Sequence, residues 1–294
     1  MRKTVLVTGA TGFLGSHIVK GLLQEGHRVI ILKRSFSNTC RLQNVMSDLT
    51  SYDLDRMPDL TEPFRHGHID AIIHTATCYG RKHESVQQIV ETNELFPLKL
   101  MEKATFFNTD TFFNTDTIAS RYLNWYALSK KQFLEWGKQF SLLGKIQFVN
   151  FRLEHMYGEN DDNSKFVTYI LEQFQKGAAE LKLTKGEQKR DFIYVGDVVS
   201  AYLMVLNGIE QRKDAYQEYD VGSGRSVSIR EFVELAAKVS DAKTQLKFGA
   251  LPYRTNEIME SHADIAALAS LGWKPKTDLA VGLEKMVKVL HNEP

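Results

Sequence analysis

Cysteine is scarce in this chain, which has two cysteines among its 294 residues. Cys40 and Cys78 stand alone, without the spacing of a metal-binding or redox pair, so a disulfide-stabilised secreted domain and a cysteine-ligated zinc module are both excluded. Such sparse cysteine usage is typical of proteins in the reducing cytoplasm. We therefore expect a cytoplasmic protein, and the sequence predicts no metal site.

An excess of charge of one sign and a long apolar run are also missing. Lysine and arginine together number 37, against 36 for aspartate and glutamate, so no net field favours nucleic acid or a membrane surface. No apolar stretch approaches the roughly 20 residues of a membrane span. We predict no nucleic-acid partner and no membrane insertion. An anionic ligand would have to be bound by local basic side chains.

Short β-branched strands alternate with amphipathic helices in the first half of the chain. This alternation predicts an α/β fold, with a Rossmann-type doubly wound parallel sheet covered by helices on both faces. The predicted strands are residues 4–7, 29–32, 71–73 and 146–152, and the predicted helices are residues 15–24, 85–103 and 125–139.

One hexapeptide, TFFNTD, occurs at residues 105–110 and again, letter for letter, at residues 111–116. A single repetition without a longer period does not indicate a solenoid. A helix that runs to about Ala104 needs a few residues to turn before the next strand. We therefore assign the first copy to the connection and the second copy to the strand.

Three glycines follow the first strand with the spacing G-x-x-G-x-x-G. Gly9 permits a tight turn, Gly12 lets the backbone approach a pyrophosphate, and Gly15 permits close packing of the next helix on the strand. The phosphates would lie at the positive end of that helix. A plain glycine turn is the alternative, but the strand before the triplet and the helix after it favour a dinucleotide site.

The end of the second strand distinguishes between the two nicotinamide dinucleotides. NAD sites usually place an acid there, whereas a basic residue accommodates the 2′-phosphate of NADP. This chain has Lys33, Arg34 and Ser35 at that position, and we expect no acid near them. The pattern predicts NADPH, with NADH less favoured. The alternative is that the two basic residues are solvated surface charges.

A tyrosine and a lysine four residues apart, Tyr126 and Lys130, lie on one face of a predicted helix. A neighbouring ammonium favours the tyrosinate and would lower the pKa of the phenol, so that Tyr126 could exchange a proton with a carbonyl or alcohol. Upstream, Thr115 and Thr117 offer hydroxyls at the carboxyl end of a strand, where ligands bind in such sheets. An exposed Tyr–Lys pair and an ordinary strand-end turn are the structural alternatives.

Together, the glycine motif, the segment His74–Thr77 (HTAT), the Tyr126–Lys130 pair and the run GEQKRDFIYVGD at residues 186–197 resemble the extended short-chain dehydrogenase/reductase family of nucleotide-sugar enzymes. The resemblance implies that Thr115, Tyr126 and Lys130 are catalytic. It implies a cofactor site made by Gly9, Thr11, Gly12, Phe13, Leu14, Gly15, Lys33, Arg34, Ser35, Asp48, Thr75, Ala76, Asn93, Tyr126 and Lys130. It also implies that the substrate contacts Thr77, Tyr79, Thr117, Arg190, Arg254 and Glu257, with the two arginines on its diphosphate and Glu257 on its ribose.

The alternation of strands and helices weakens after about Glu154, which indicates a second lobe. We predict that residues 1–154 form the NAD(P)-binding domain and that residues 191–205 return to it. A smaller interleaved C-terminal lobe, residues 155–190 and 206–294, would bind the substrate. The sequence does not determine the oligomeric state, and it is compatible with a homodimer.

Within the family, residues 76–81, 152–158, 186–195 and 254–259 are similar to the CDP-3,6-dideoxyhexose 4-ketoreductases, which make sugars of the abequose and paratose type for O-antigens. The resemblance implies that NADPH reduces the C4 ketone of a CDP-sugar while Tyr126 protonates the oxygen and Thr115 hydrogen-bonds it. The configuration at C4 is left open.

Two other functions compete with this reductase. The first is an NAD-dependent 4-epimerase or 4,6-dehydratase. A dehydratase of this family carries an Asp-Glu pair after the threonine, whereas Thr115 is followed by Asp116 and Thr117. The second is a non-catalytic NAD(P)-sensing protein on the same scaffold. The presence of Thr115, Tyr126 and Lys130 together argues against that second alternative.

Overall fold

The computed structural model describes residues 2–211 and 214–292, and these residues form twelve strands and nine α-helices. The strands are β1 Thr4–Thr8, β2 Arg28–Lys33, β3 Thr50–Asp53, β4 Ala71–His74, β5 Thr111–Thr117, β6 Gln147–Leu153, β7 His155–Tyr157, β8 Glu180–Leu183, β9 Lys189–Tyr194, β10 Tyr216–Val221, β11 Ser226–Ser228 and β12 Gln245–Phe248. The helices are α1 Phe13–Gln24, α2 Val86–Val90, α3 Phe96–Phe106, α4 Trp125–Leu142, α5 Phe166–Gln175, α6 Val195–Gly208, α7 Ile229–Val239, α8 Ala266–Ser270 and α9 Leu279–Asn292.

Seven strands form the main sheet, in the order β10-β6-β5-β4-β1-β2-β3. The pairs from β5 to β3 are parallel, with Val5 of β1 opposite Val29 of β2 and Ala71 of β4. The chain therefore winds outward from β1 in one direction and from β4 in the other. The predicted doubly wound Rossmann-type sheet is confirmed, and its reversal between β1 and β4 is where such sheets bind ligands.

The apolar strand residues explain why this sheet is rigid at its centre. Val5, Leu6 and Val7 of β1 have no exposed surface, as expected for a strand covered on both faces. Leu6 belongs to a core cluster with Phe112 of β5 and Phe133 of α4. This packing fixes the carboxyl ends of β1, β4 and β5 at one edge of the sheet.

The duplicated hexapeptide is resolved as the sequence predicts, because β5 begins at Thr111, in the second copy. Helix α3 runs two residues further than expected, to Phe106. The chain then turns at Asn108, whose φ of +56° lies in the left-handed region, and the Thr109 amide closes the helix by donating to the Ala104 carbonyl at 2.9 Å. The first copy is therefore the helix end and the connection.

The contacts of the chain divide it into two units, Met1–Arg152 with Val199–Tyr219, and Leu153–Val198 with Asp220–Pro294. The sequence placed the returning segment at residues 191–205, so the structure shifts it towards the C terminus. The reason is that the whole of β9 belongs to the second unit, where it pairs with β7 and β11.

The second unit has its own core, built on the sheet β11-β9-β7 and the pair β12-β8. Phe192 of β9 stacks on Phe232 of α7 with ring centroids 4.2 Å apart. The buried carboxylate of Asp191 accepts hydrogen bonds from the backbone amides of Ser223, Gly224 and Ala263, which joins three segments of this unit.

Among the described residues, no helix has the length and apolarity needed to cross a membrane.

Candidate active site

The glycine turn after β1 is shaped for a phosphate group. Gly9 has a φ of +67°, and a Cβ there would lie 2.5 Å from the Ala76 backbone nitrogen. A Cβ on Gly15 would overlap the Gly9 carbonyl oxygen. Gly12 precedes α1 as its N-cap and supplies no side chain to cap it. The first amides of α1 can therefore bind an anion, and their partial positive charge favours one.

The segment after β4 closes on this turn. The Thr75 hydroxyl donates to the Thr8 carbonyl at 2.7 Å, and the Ala76 amide lies 3.4 Å from the Thr8 hydroxyl. These two bonds hold residues 75 and 76 directly against Gly9. Thr75 and Ala76 thus lie beside the glycine turn, as the cofactor assignment requires.

At the end of β2, the expectation that no acid lies nearby is wrong. Lys33 forms an ion pair with Asp53, and Ser35 donates to Asp55 from its amide at 2.7 Å and from its hydroxyl at 2.5 Å. Both acids come from the end of β3, a strand that the sequence analysis did not predict and that pairs in parallel with β2. Lys33 and Ser35 therefore already have partners in the protein.

Arg34 is the basic residue at this position that remains free for an anion. Its side chain is exposed, and its guanidinium lies 4.8 Å from the centroid of the Phe36 ring. Within residues 2–211 and 214–292 it forms no ion pair.

Asp48, which the resemblance places in the cofactor site, does not lie at the carboxyl end of a strand. It ends a 3₁₀ segment, Cys40–Asp48, and β3 begins only at Thr50. Asp48 therefore lies at the amino end of a strand, whereas ligands bind at the carboxyl ends. The acid at the carboxyl end of β3 is Asp53, the last residue of the strand, which pairs with Lys33.

Asn93, which the resemblance places in the cofactor site, has its side chain bonded within the protein. It is fully buried in a single π-helical turn, Glu91–Leu95. Its amide nitrogen donates to the Cys78 carbonyl and the Ser129 hydroxyl, each at 2.9 Å. Its carbonyl oxygen accepts from the Cys78 amide at 2.7 Å and the Thr77 hydroxyl at 3.2 Å. Because these four bonds use its hydrogen-bonding capacity, Asn93 instead holds the segment after β4 to α4.

Helix α4 presents Tyr126 at its start, where the Asn124 side chain caps the helix by accepting from the Ala127 amide at 2.8 Å. The half-buried Tyr126 ring lies against the Tyr79 ring, with centroids 4.8 Å apart. Burial raises the pKa of Tyr126 well above its ordinary value, while the charge of Arg81 lowers it. The sequence analysis expected Lys130 to lower this pKa, but the positive charge that lowers it is that of Arg81, and burial outweighs that charge. The phenol therefore carries its proton at neutral pH.

Lys130, one turn further along α4, is almost completely enclosed, with 1% of its surface exposed. Its ammonium lies 3.5 Å from the side-chain oxygen of Asn114 on β5. Burial lowers the pKa of Lys130 to about 8, although the charge of Asp116 opposes the change. Lys130 is thus a buried ammonium with little compensation from the protein.

The end of β5 carries the two candidate threonines on either side of Asp116. The Asp116 side chain has no exposed surface, forms an ion pair with Lys131 at 2.8 Å, and accepts from the Asn150 amide group at 3.3 Å. The Thr117 hydroxyl accepts from the Ala119 amide at 3.2 Å and so forms a turn. Asp116 is therefore committed to structure and cannot serve as a base.

Thr115 is half-buried, and its hydroxyl oxygen lies 2.7 Å from the phenol oxygen of Tyr202 on α6. The sequence analysis did not single out Tyr202, Lys131 or Asn114. Nothing in the local sequence points to Tyr202, which is 87 residues from Thr115.

The three remaining substrate candidates lie close together in the second unit. Arg190 of β9 forms an ion pair with Glu257 at 2.5 Å, and the Glu257 amide donates to the Arg254 carbonyl at 3.1 Å. The Arg190 and Glu257 side chains are mostly buried, whereas Arg254 is exposed. The structure thus brings together the residues that the sequence assigned to a diphosphate and a ribose.

Comparison with known proteins identifies the family. The model of the NAD dependent epimerase/dehydratase family matches residues 5–222. The chain belongs to this family. It is 34% identical to CDP-abequose synthase of Salmonella muenchen over 98% of each chain, and 36% identical to CDP-abequose synthase of Salmonella typhimurium over 99% of each.

Solved structures of the family share the fold. The UDP-glucose 4-epimerase of Thermotoga maritima with UDP-glucose has a TM-score of 0.86 and 22% identity, over 98% of both chains. The UDP-glucose 4-epimerase of Thermus thermophilus with NAD has a TM-score of 0.83 and 24% identity, over 98% of this chain and 99% of that one.

Family membership and the curated relatives identify this chain as an NAD(P)-dependent enzyme of the oxidoreductase type. Its own residues fit such a cofactor. The glycine turn leaves no room for a Cβ on Gly9 or Gly15, and the start of α1 has amides without a side-chain cap.

Proposed function

We propose that this enzyme reduces the C4 ketone of a CDP-4-keto-3,6-dideoxyhexose with NADPH, giving a CDP-3,6-dideoxyhexose of the abequose or paratose type for O-antigen synthesis. One observation carries the proposal. Tyr126 holds a proton at the carboxyl edge of the sheet, and the acid beside Thr115, Asp116, is buried in an ion pair. A site in which Tyr126 can donate a proton and Asp116 is engaged by Lys131 suits net reduction. The two CDP-abequose synthases of Salmonella support the same substrate class.

Each catalytic residue would have a separate role in this reduction. NADPH supplies the hydride. Tyr126 gives its proton to the oxygen as the ketone becomes an alkoxide, which is general acid catalysis. The Thr115 hydroxyl donates a hydrogen bond to the same oxygen and stabilises its growing charge. Lys130 binds the nicotinamide ribose and supports proton transfer to Tyr126.

The proposed substrate contacts are charged side chains for the nucleoside diphosphate and a separate set of residues for the sugar. Arg190 and Arg254 are suited to the diphosphate, because guanidinium groups pair with phosphate oxygens in a bidentate manner. Glu257, which pairs with Arg190, would accept from the ribose hydroxyls of the nucleoside. Thr77, Tyr79 and Thr117 are the candidates for contact with the sugar.

The preference for NADPH rests on Arg34. Lys33 and Ser35 are bonded to Asp53 and Asp55, so the 2′-phosphate would be bound by the exposed Arg34 guanidinium. A charge-assisted phosphate contact of this kind is stronger than a neutral hydrogen bond.

A 4-epimerase is the second candidate, because epimerases that bind NAD share the fold. A 4,6-dehydratase is disfavoured. Thr117 occupies the position where a dehydratase of this family has its glutamate, and Asp116 is paired with Lys131, so the elimination step lacks its base. An epimerase returns its hydride within each turnover, whereas a reductase consumes one NADPH for each product formed.

The decisive assay mixes the enzyme with NADPH and a CDP-4-keto-3,6-dideoxyhexose and follows the nicotinamide absorbance. We expect stoichiometric oxidation of NADPH and a CDP-3,6-dideoxyhexose as product. Conversion of UDP-glucose with bound NAD and no consumption of NADPH would favour the epimerase.

Tyr126→Phe tests the proton donor in the same assay. We expect kcat to fall by about 10²–10⁴-fold, the usual scale for a lost general acid, with NADPH affinity nearly unchanged because the ring is kept. Tyr169→Phe, which alters a tyrosine of α5 that is 45% exposed, is the control and should be silent. A Tyr126→Phe enzyme with wild-type kcat would refute the catalytic assignment.

A further inference from the structure

Tyr202 is a buried tyrosine that makes its polar contact at the candidate catalytic threonine. Its side chain has no exposed surface, and its ring stacks on Phe151 of β6 with centroids 4.1 Å apart and an interplanar angle of 29°. Its phenol oxygen lies 2.7 Å from the Thr115 hydroxyl oxygen. The contact lies within the first unit, since α6 from Val199 onward belongs to that unit.

Counting hydrogens fixes the direction of this bond. Either hydroxyl could donate by distance alone. Among the described residues, however, the Tyr202 oxygen has Thr115 as its hydrogen-bond partner and no other. If Thr115 donated, the phenol O–H would be left buried and unpaired, which is costly. Burial also raises the pKa of Tyr202 and outweighs the lowering by its contact with Thr115, so the phenol keeps its hydrogen. Tyr202 therefore donates and the Thr115 oxygen accepts.

This direction determines what Thr115 can do. A threonine hydroxyl has one hydrogen, and because its oxygen already accepts from Tyr202, that hydrogen is directed to another acceptor. Thr115 is half-buried, so its hydroxyl keeps access to a ligand. A donor that itself accepts a hydrogen bond is polarised and becomes a stronger donor.

We propose that Tyr202 is a positioning residue, which donates to the Thr115 oxygen and thereby orients and strengthens the Thr115 hydrogen bond to the reacting oxygen of the substrate. The inference rests on the proposed role of Thr115. It extends the site to α6, a helix that contributes no other residue to the chemistry proposed above.

The test is a double-mutant cycle with single-turnover rates, so that product release does not mask the chemical step. Tyr202→Phe keeps the stacked ring and removes the donor. We expect the rate to fall about 5- to 20-fold, as for a lost buried hydrogen bond, while the KM for the sugar and the affinity for NADPH stay near wild type. In the Thr115→Ser background, which keeps a hydroxyl, Tyr202→Phe should cost a similar factor. In the Thr115→Val background it should cost nothing further.

The matched control is Tyr219→Phe. Tyr219 is 7% exposed, its ring lies 5.6 Å from that of Phe151, and its hydroxyl donates to Gln217 at 2.8 Å. The control therefore removes from the same aromatic cluster a phenol hydroxyl that donates to Gln217, and it should leave the rate unchanged. Thermal midpoints of the variants show whether either change loosens the fold.

The outcomes separate the two proposals. If Thr115→Val slows the wild-type reaction but Tyr202→Phe does not, or if the two effects simply multiply, the role of Tyr202 is refuted and the proposed function stands. If the wild-type enzyme does not oxidise NADPH with the keto sugar, the proposed function fails, and the same cycle is then measured on the epimerisation of UDP-glucose. Equal losses for Tyr202→Phe and Tyr219→Phe would show a packing effect and would also overturn the inference.

Discussion

Two adjacent lysines on α4 have opposite electrostatic surroundings, and this predicts opposite effects on stability. Lys130 is 1% exposed and lies 3.5 Å from a neutral amide oxygen of Asn114. Lys131 lies 2.8 Å from the carboxylate of Asp116, whose side chain has no exposed surface. Lys130→Met should therefore stabilise the ligand-free protein, and Lys131→Met should destabilise it.

The size of the first effect follows from the pKa. Holding the pKa of Lys130 at about 8 instead of its ordinary 10.5 costs the native state about 3 kcal/mol near pH 7, since one pKa unit corresponds to about 1.4 kcal/mol. Methionine fills a similar volume without charge. It gives up the long bond to Asn114, worth about 1 kcal/mol. The free energy of unfolding should thus increase by about 2 kcal/mol.

The dependence on pH distinguishes this cause from better packing. Between about pH 8 and pH 10.5, the unfolded chain keeps the proton on this lysine while the native chain has released it. Stability of the wild type therefore rises with pH in that window. The advantage of Lys130→Met should shrink by about 2 kcal/mol between about pH 7 and pH 9.5.

Urea unfolding of both variants and the wild type, followed by circular dichroism without cofactor, measures these differences. Lys131→Met leaves the buried Asp116 charge without its ion-pair partner, which typically costs about 3–5 kcal/mol. The reasoning about Lys130 is wrong if Lys130→Met is less stable than the wild type near pH 7, or if its advantage does not change with pH.

Two further predictions concern cofactor choice and the duplicated hexapeptide. Arg34→Asp should weaken NADPH binding by roughly 2–3 kcal/mol through the loss of a charge-assisted phosphate contact and the added repulsion, and an unchanged Kd by fluorescence titration would remove Arg34 from the site. Thr115→Val should reduce kcat while NADPH still binds, because a hydrogen bond to the developing alkoxide is lost. Thr109→Val should be nearly silent, and the reverse pattern in a side-by-side kcat measurement would show that the wrong threonine had been assigned.

The part of the fold that the sequence predicts is the part set by strong local patterns. The apolar strands β1 and β4 and the glycine turn that opens α1 lie where their patterns place them, because buried parallel strands and a left-handed Gly9 leave distinct local marks. The end of α3 and the start of β5 at Thr111 follow from the length of connection that a helix and a strand require.

The residues that the sequence analysis missed depended on an element with no such mark. Strand β3, Thr50–Asp53, is short, polar and only partly buried, so it lacks the alternation of apolar and polar residues by which a strand is predicted. Without it, the acids next to Lys33 and Ser35 went unnoticed. The hydrogen bonds of Asn93 could not be predicted for another reason. The sequence around a buried asparagine is the same whether its amide contacts a cofactor or a loop of the protein. Only the four hydrogen bonds of Asn93 in the structure show its partners.

The repeated TFFNTD separates the contribution of local sequence from that of tertiary partners, because the same six residues occur once at the end of α3 and its connection and once in strand β5. Asp110 of the first copy is exposed beside His68, whereas Asp116 of the second is buried and paired with Lys131. The hydroxyl of Thr109 is buried without a hydrogen-bond partner in the described parts of the chain, whereas that of Thr115 lies against Tyr202. Identical hexapeptides cannot produce these differences by themselves. The candidate catalytic role of Thr115 therefore comes from α4 and α6, which supply the partners that the first copy lacks, and a transplant of the hexapeptide alone would not carry the activity with it.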